Sequence, residues 1–226
     1  MYSNRNSSPI NYPGCPAQQM HYPQVGFTQL KALNDQSYRP FFRQAELNTG
    51  QIFGEADKEI FIDHAKIKRL RKRQYFLQET DICRYIGFIT KGATKTYSIN
   101  ERGQETILCF RMENDWVTDM ESFLDYKESG YHIEALEDLE MIIMDRNQLY
   151  ALMALIPAMH ELVHRFQFRQ LIESQQRITA ALSMTAEERY ANMLLTKPHY
   201  IHRFSQNMLA CYLGVKPETL SRIRKH

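Results

Sequence analysis

Between residues 66 and 144 the apolar positions come in short alternating runs. Residues 67–77, 84–90, 94–99, 105–110, 131–136 and 139–144 are rich in β-branched and aromatic side chains and are separated by turn signals. Short strands at that spacing predict a small β-roll or barrel. The clearest hairpin is KTYSINERGQETILCF, where Asn100, Glu101, Arg102 and Gly103 form the loop between two alternating runs. The basic run KIKRLRKR, residues 66–73, alternates in the same way and reads as one solvated strand face rather than a nucleic-acid patch. Ahead of it, residues 46–65 read as a short helical lead-in.

After Pro157 the period becomes helical. Residues 158–184 carry Phe168, Leu171, Gln175, Ile178 and Leu182 at alternating steps of three and four, a heptad seam suited to pairing two copies of the chain. Gln175 in the seam would fix register at some cost in stability. The alternative is a lone helix lying on its own barrel. Thr185 then opens a new helix, with Glu188 three residues on completing a capping box.

The last stretch, SQNMLACYLGVKPETLSRIRKH, has the offsets of a helix-turn-helix. Gly214 lets the backbone leave the first helix at positive φ. Ala210 is small where the helices approach, and Leu209, Leu213, Val215, Leu220 and Ile223 supply an apolar cluster. Pro217 suits the first turn of the second helix, although Lys216 before it is a poor N-cap. With Leu220 and Ile223 inward, Glu218, Ser221, Arg222 and Lys225 face outward, where a major groove would receive them. Lys216, Arg224, Lys225 and Arg203 are the candidates for phosphate contacts. An ordinary helical hairpin with a solvated charged face is the alternative.

Composition adds constraints. With 226 residues, 43% of them hydrophobic, the chain has enough material for one large domain or two small ones. A formal net charge of +2 does not advertise nucleic acid, so DNA binding has to come from a local patch. The chain start lacks an apolar signal core, and no run approaches the roughly 18 apolar residues of a membrane span, so a soluble cytoplasmic protein with no membrane partner is expected. Cys15, Cys83, Cys109 and Cys211 are scattered without a C-x-x-C pair; Cys109 and Cys211 read as small apolar filler. Residues 1–38, rich in Asn, Ser, Pro, Gln and Tyr, read as a disordered polar extension.

One motif points elsewhere. His160, Glu161 and His164 fit the H-E-x-x-H pattern of zinc peptidases, in which two histidines on one helix face bind a metal and the glutamate is the base. There is no nearby G-x-x-H continuation, and Glu173, Glu187 and Glu188 are undistinguished third ligands. A surface histidine pair is the expected reading; no enzyme activity, cofactor or metal is assigned.

A β-roll, a long helix and a C-terminal helix-turn-helix, in that order, resemble the Crp/Fnr family of bacterial transcription regulators from about residue 39 onward. Glu218, Thr219, Leu220, Ser221 and Arg222 match the E-x-x-S-R recognition-helix pattern of its Fnr-like branch. The resemblance implies an α+β fold. Residues 39–145 would form a jelly-roll-like β-roll of the cyclic-nucleotide-binding type, 146–184 a dimerisation helix and 185–226 the DNA-binding domain, lacking most of the usual β-wing. It further implies a homodimer on a palindromic promoter site of double-stranded DNA, acting through RNA polymerase. Where the family's phosphate cassette has Gly-Glu and a later Arg, this sequence has Thr118 and Asp119, with Tyr131 or His132 at the Arg position. Residues 112–145 contain no arginine, and acidic residues crowd the segment. Cyclic AMP binding in the usual way is therefore not expected, and the effector is an unknown small molecule or none. The competing reading is a ligand-sensing or protein-interaction adaptor with a vestigial reader.

Overall fold

The computed structural model describes residues 37–225. The expected polar extension therefore falls almost wholly outside the described residues. Tyr38 is already buried, and its hydroxyl donates to the Ala65 carbonyl at 3.2 Å. The lead-in is two helices, α1 (Arg39–Thr49), with a proline in its first turn, and α2 (Glu55–His64). Gly50, at φ 69°, ends the first. Their aromatics are core: Phe41 stacks on Phe61 with ring centroids 4.1 Å apart and meets Phe88 and Trp116 edge-on. The adjacent Phe41 and Phe42 break any clean helical period, so the start of α1 escapes pattern reading.

The roll comprises β1 (Lys66–Leu70), β2 (Tyr75–Leu77), β3 (Tyr85–Lys91), β4 (Thr94–Ile99), β5 (Glu105–Arg111), β6 (Trp116–Val117), α3 (Met120–Asp125), β7 (His132–Ala135) and β8 (Leu139–Asp145). Two antiparallel sheets result, in the orders β1-β8-β3-β6 and β2-β7-β4-β5. The single run expected over residues 67–77 is two strands in different sheets. A turn divides it, with the Gln74 N–H donating to the Arg71 carbonyl and Arg73 at φ 71°. Its Arg and Lys side chains mimic outward strand positions, which is why the alternation ran through it. β6 is too short to have a period and is defined only by pairing Phe88 with Trp116 and Gly87 with Val117.

Residues 146–184 are not one helix. Asp145 caps α4 (Arg146–Leu155) through a reciprocal bond pair with Gln148, and Ile156 then turns extended, at φ −122° and ψ 104°, before α5 (Pro157–Ser183). Proline disfavours helix at the preceding residue and removes an N–H, so the break is local chemistry. α5 buries Ala158, Met159, Leu162, Val163 and Phe166 against the roll. α6 (Ala186–Thr196) starts at the expected capping box, Glu188 N–H to Thr185 Oγ1 at 3.2 Å and Thr185 N–H to Glu188 Oε2 at 2.7 Å. α7 (Tyr200–Arg203), α8 (Gln206–Leu213) and α9 (Pro217–Ile223) follow. No helix among the described residues is long and apolar enough to cross a membrane.

Two hydrophobic clusters hold the molecule together. One fills the roll and extends under α1, α2, α4 and the first half of α5. The other joins Tyr97, Ile107 and Phe110 of the roll to Tyr200, Phe204, Leu209, Leu213 and Leu220.

Candidate nucleic-acid interface and sensor region

Ser205 caps α8, its hydroxyl accepting from the Met208 N–H at 3.4 Å. The helix closes at Gly214, with φ 68° and ψ 34°, and the Val215 N–H turns back to the Ala210 carbonyl at 3.0 Å. A Cβ at Gly214 would meet nothing within 4 Å. The glycine is therefore required by its backbone conformation rather than by space. Leu209, Ala210, Leu213 and Leu220 are buried, with Val215 packed beside them, which is the apolar cluster the sequence predicts; Ile223 is half-buried at its edge.

That packing leaves a polar outer surface on α9. Glu218 and Arg222 are exposed and Ser221 is half-buried on one face of the helix, which ends at Ile223, and Lys225 stands exposed in the turn that follows. Lys216 and Arg224 are exposed beside it, Arg224 touching Gln206 Oε1 at 3.4 Å. Arg203 is placed differently. Its guanidinium is held by two carboxylates of the roll, Glu113 at 2.5 and 2.7 Å and Glu137 at 2.9 Å from both oxygens. In this arrangement it faces the roll and not the outer surface of α9. Hydrogen bonds to Glu113 and Glu137 push the Arg203 value further up. Burial alone would raise Glu113, but the Arg203 contacts outweigh it and hold the carboxyl below its usual range.

Around this clasp the reader lies against the face of the β2-β7-β4-β5 sheet. Phe204 and Tyr200 pack on Phe110, and Cys211 Sγ reaches the Glu105 carbonyl at 2.9 Å. From α5, Arg177 spans to the Ile107 and Leu108 carbonyls on β5 and to the Tyr212 carbonyl on α8, with its guanidinium 4.5 Å from the Tyr212 ring centre. Sequence reasoning missed Glu113, Glu137, Phe110 and Arg177. Each partner lies far away in the chain, so no local pattern signals it.

The seam residues share one exposed flank of α5: Phe168 is 61% exposed, Leu171 54%, Ile178 59% and Leu182 84%, with Gln175 exposed among them. Large apolar side chains this open are a poor fit to a lone helix lying on its own roll. His160 and His164 are both exposed one turn apart on α5.

In the sensor region, Asp119 caps α3 by accepting from the Ser122 N–H at 3.4 Å and also accepts from Ser129 Oγ at 2.6 Å. Ser122 Oγ accepts from the Cys83 N–H and donates to the Lys127 carbonyl, and Ser129 Oγ accepts from the Tyr131 N–H. Thr118 Oγ1 turns to the Tyr85 carbonyl at 3.4 Å. Thr118, Asp119 and Tyr131 are thus brought into one neighbourhood whose polar groups satisfy one another. His132 turns away, stacked on Tyr97 at 5.0 Å with Nε2 3.4 Å from Glu79.

Residues 67–155 match the cyclic nucleotide-binding domain model. The regulatory protein HlyX of Actinobacillus pleuropneumoniae is 28% identical over 167 residues, 69% of this chain and 69% of that protein. The transcriptional activator protein Anr of Pseudomonas aeruginosa is 25% identical over 165 residues, 68% of this chain and 67% of that protein. FixK2 from Bradyrhizobium japonicum shares the fold, with a TM-score of 0.61 at 19% identity over 71% of this chain and 83% of that one. With a matched cyclic nucleotide-binding-type roll, relatives that are transcription regulators and a fold shared with FixK2, the chain is similar to transcription regulators of the Crp/Fnr type.

Proposed function

We propose that this chain is a sequence-specific DNA-binding regulator that acts as a homodimer on a palindromic promoter site. Regulators of this family bind DNA and act as dimers. The observation that carries the reading is the α8–Gly214–α9 unit: Leu220 is fully buried while Glu218 and Arg222 stand exposed on the far side. In the major groove Arg222 pairs bidentately with guanine, Glu218 accepts from a cytosine amino group and Ser221 meets a base or a phosphate. Lys216, Arg224 and Lys225 hold the phosphates. The exposed flank of α5 pairs with the same flank of a second copy, setting two readers on half-sites about one helical turn apart. Bound there, the dimer recruits or blocks RNA polymerase.

The effector region takes no cyclic nucleotide in the usual way. Asp119 and its acidic neighbours repel a phosphate, and no arginine between residues 112 and 145 offers a bidentate partner. The effector is a different small molecule or none.

A second reading, an adaptor with a vestigial reader, draws support from the engagement of Arg203 by Glu113 and Glu137. Selection of bound sequences from random duplex DNA separates the two, run with the wild-type chain and with Arg222→Ala. An enriched palindrome that disappears in the variant supports the regulator. No enrichment with any ligand tried on the roll favours the adaptor.

A further inference from the structure

His160 and His164 point away from the roll on the same side of α5 as the seam. Their ring centroids are 4.7 Å apart, and the His164 ring meets the Phe168 ring edge-on at 6.2 Å. At about 100° per residue both histidines fall in the arc of Leu171, Ile178 and Leu182, opposite the buried Met159, Leu162 and Phe166. His164 also lies four residues before Phe168, the next step of the heptad series. The exposed apolar stripe therefore ends, towards the N-terminus of α5, in two imidazoles.

Within one chain this pair is incomplete as a metal site. No group of three or more His, Cys, Asp or Glu able to hold an ion occurs among the described residues. Glu161, between the histidines, is taken by Arg165 Nε at 2.6 Å. A parallel pairing along the seam changes this, because it carries the second chain's His160 and His164 to the same level of the twofold axis. We propose that these four imidazoles, two from each chain, hold one divalent transition cation, zinc being the expected ion, at the N-terminal end of the dimer seam.

The ligand chemistry supports that choice. Neutral imidazole suits zinc, copper and nickel. Histidines at i and i+4 share a helix face, so each chain offers a two-nitrogen claw. Two claws facing across an axis supply four ligands, the tetrahedral number of a closed structural zinc site with no position left for a reactive water. The H-E-x-x-H pattern here is thus half of a cross-link, and it selects parallel pairing, because antiparallel helices would carry the two claws to opposite ends. This inference rests on the homodimer proposed above.

The test is calorimetric titration of zinc chloride into the metal-stripped full-length chain, with light scattering on a sizing column to fix the oligomeric state. Wild type, His164→Gln and the His160→Gln/His164→Gln double variant are compared; all replacements are on exposed positions. The expected result is a dimer that binds one zinc per two chains. Expected for His164→Gln is a weakening beyond the roughly 10–100-fold cost of losing an outer-shell partner. The double variant should still dimerise through the seam and bind none. A dimer that takes up no zinc, that binds one zinc per chain, or whose uptake survives the double variant overturns the shared site and leaves the dimer standing. A monomer at all concentrations overturns the dimer, and the shared site with it.

Discussion

Phe204 lies flat on Phe110, ring centroids 3.9 Å apart and planes within 13°, and this stack joins the reader to the roll. It sits at the centre of the second cluster, with Tyr200 edge-on at 5.3 Å. Phe204→Ala removes a buried ring and is expected to cost about 3–5 kcal/mol. Because the loss falls on the joint, the reader should loosen before the roll melts. Chemical denaturation followed by hydrogen exchange checks this: protection should fall in α8 and α9 at denaturant concentrations where β3 and β8 remain protected.

The clasp beside that stack predicts a pH dependence. Glu113 has a folded value below its unfolded one, so its contribution is fully present above the unfolded value and is lost as pH falls through the folded value. Arg203 stays charged throughout. Thermal unfolding measured from neutral pH downward should show an acid-side loss of stability that Glu113→Gln makes shallower. An unchanged acid limb in the variant would show that the Glu113 contacts contribute nothing measurable. Added salt should shrink the effect, since these groups are only partly buried.

Gly214→Ala tests the turn. The added Cβ meets open space, so the penalty comes from the left-handed backbone alone, roughly 1–2 kcal/mol. The melting temperature should fall by a few degrees while affinity for a selected DNA site falls further, because the angle between α8 and α9 depends on this residue. Equal losses in both would show that the turn only stabilises.

Ile178→Glu places a charge on the exposed flank of α5. The single chain should lose almost no stability, because Ile178 is 59% exposed. Sedimentation velocity should nevertheless report a monomer, and binding to a palindromic duplex should fall to the level of a half-site. A stable dimer in this variant would move the interface elsewhere.

Most of the roll and the reader was legible because their signals are local. β4 matches its expected bounds, Gly214 closes α8, and Thr185 with Glu188 begins α6, each fixed by residues within a few positions. Where the sequence misled, the controlling contact was distant or the local pattern ambiguous. The Arg71–Gln74 turn looked like continued alternation, and β6 exists only through its partner β3. Arg203 looked like a free cation at the edge of the reader, and nothing near it announces carboxylates 66 and 90 residues earlier. Exposed α9 residues were legible as a group because a short amphipathic helix has only one face left once Leu220 is buried.

Arg177 grips β5 through main-chain carbonyls alone, at Ile107 and Leu108, and meets α8 at the Tyr212 carbonyl and ring. Every residue carries such an oxygen, so this joint does not read the side chains of the strand it holds. The side chains of the roll can therefore drift in sequence while the same arginine keeps helix, sheet and C-terminal helices mechanically connected. The joint and the residues lining the roll are free to evolve separately.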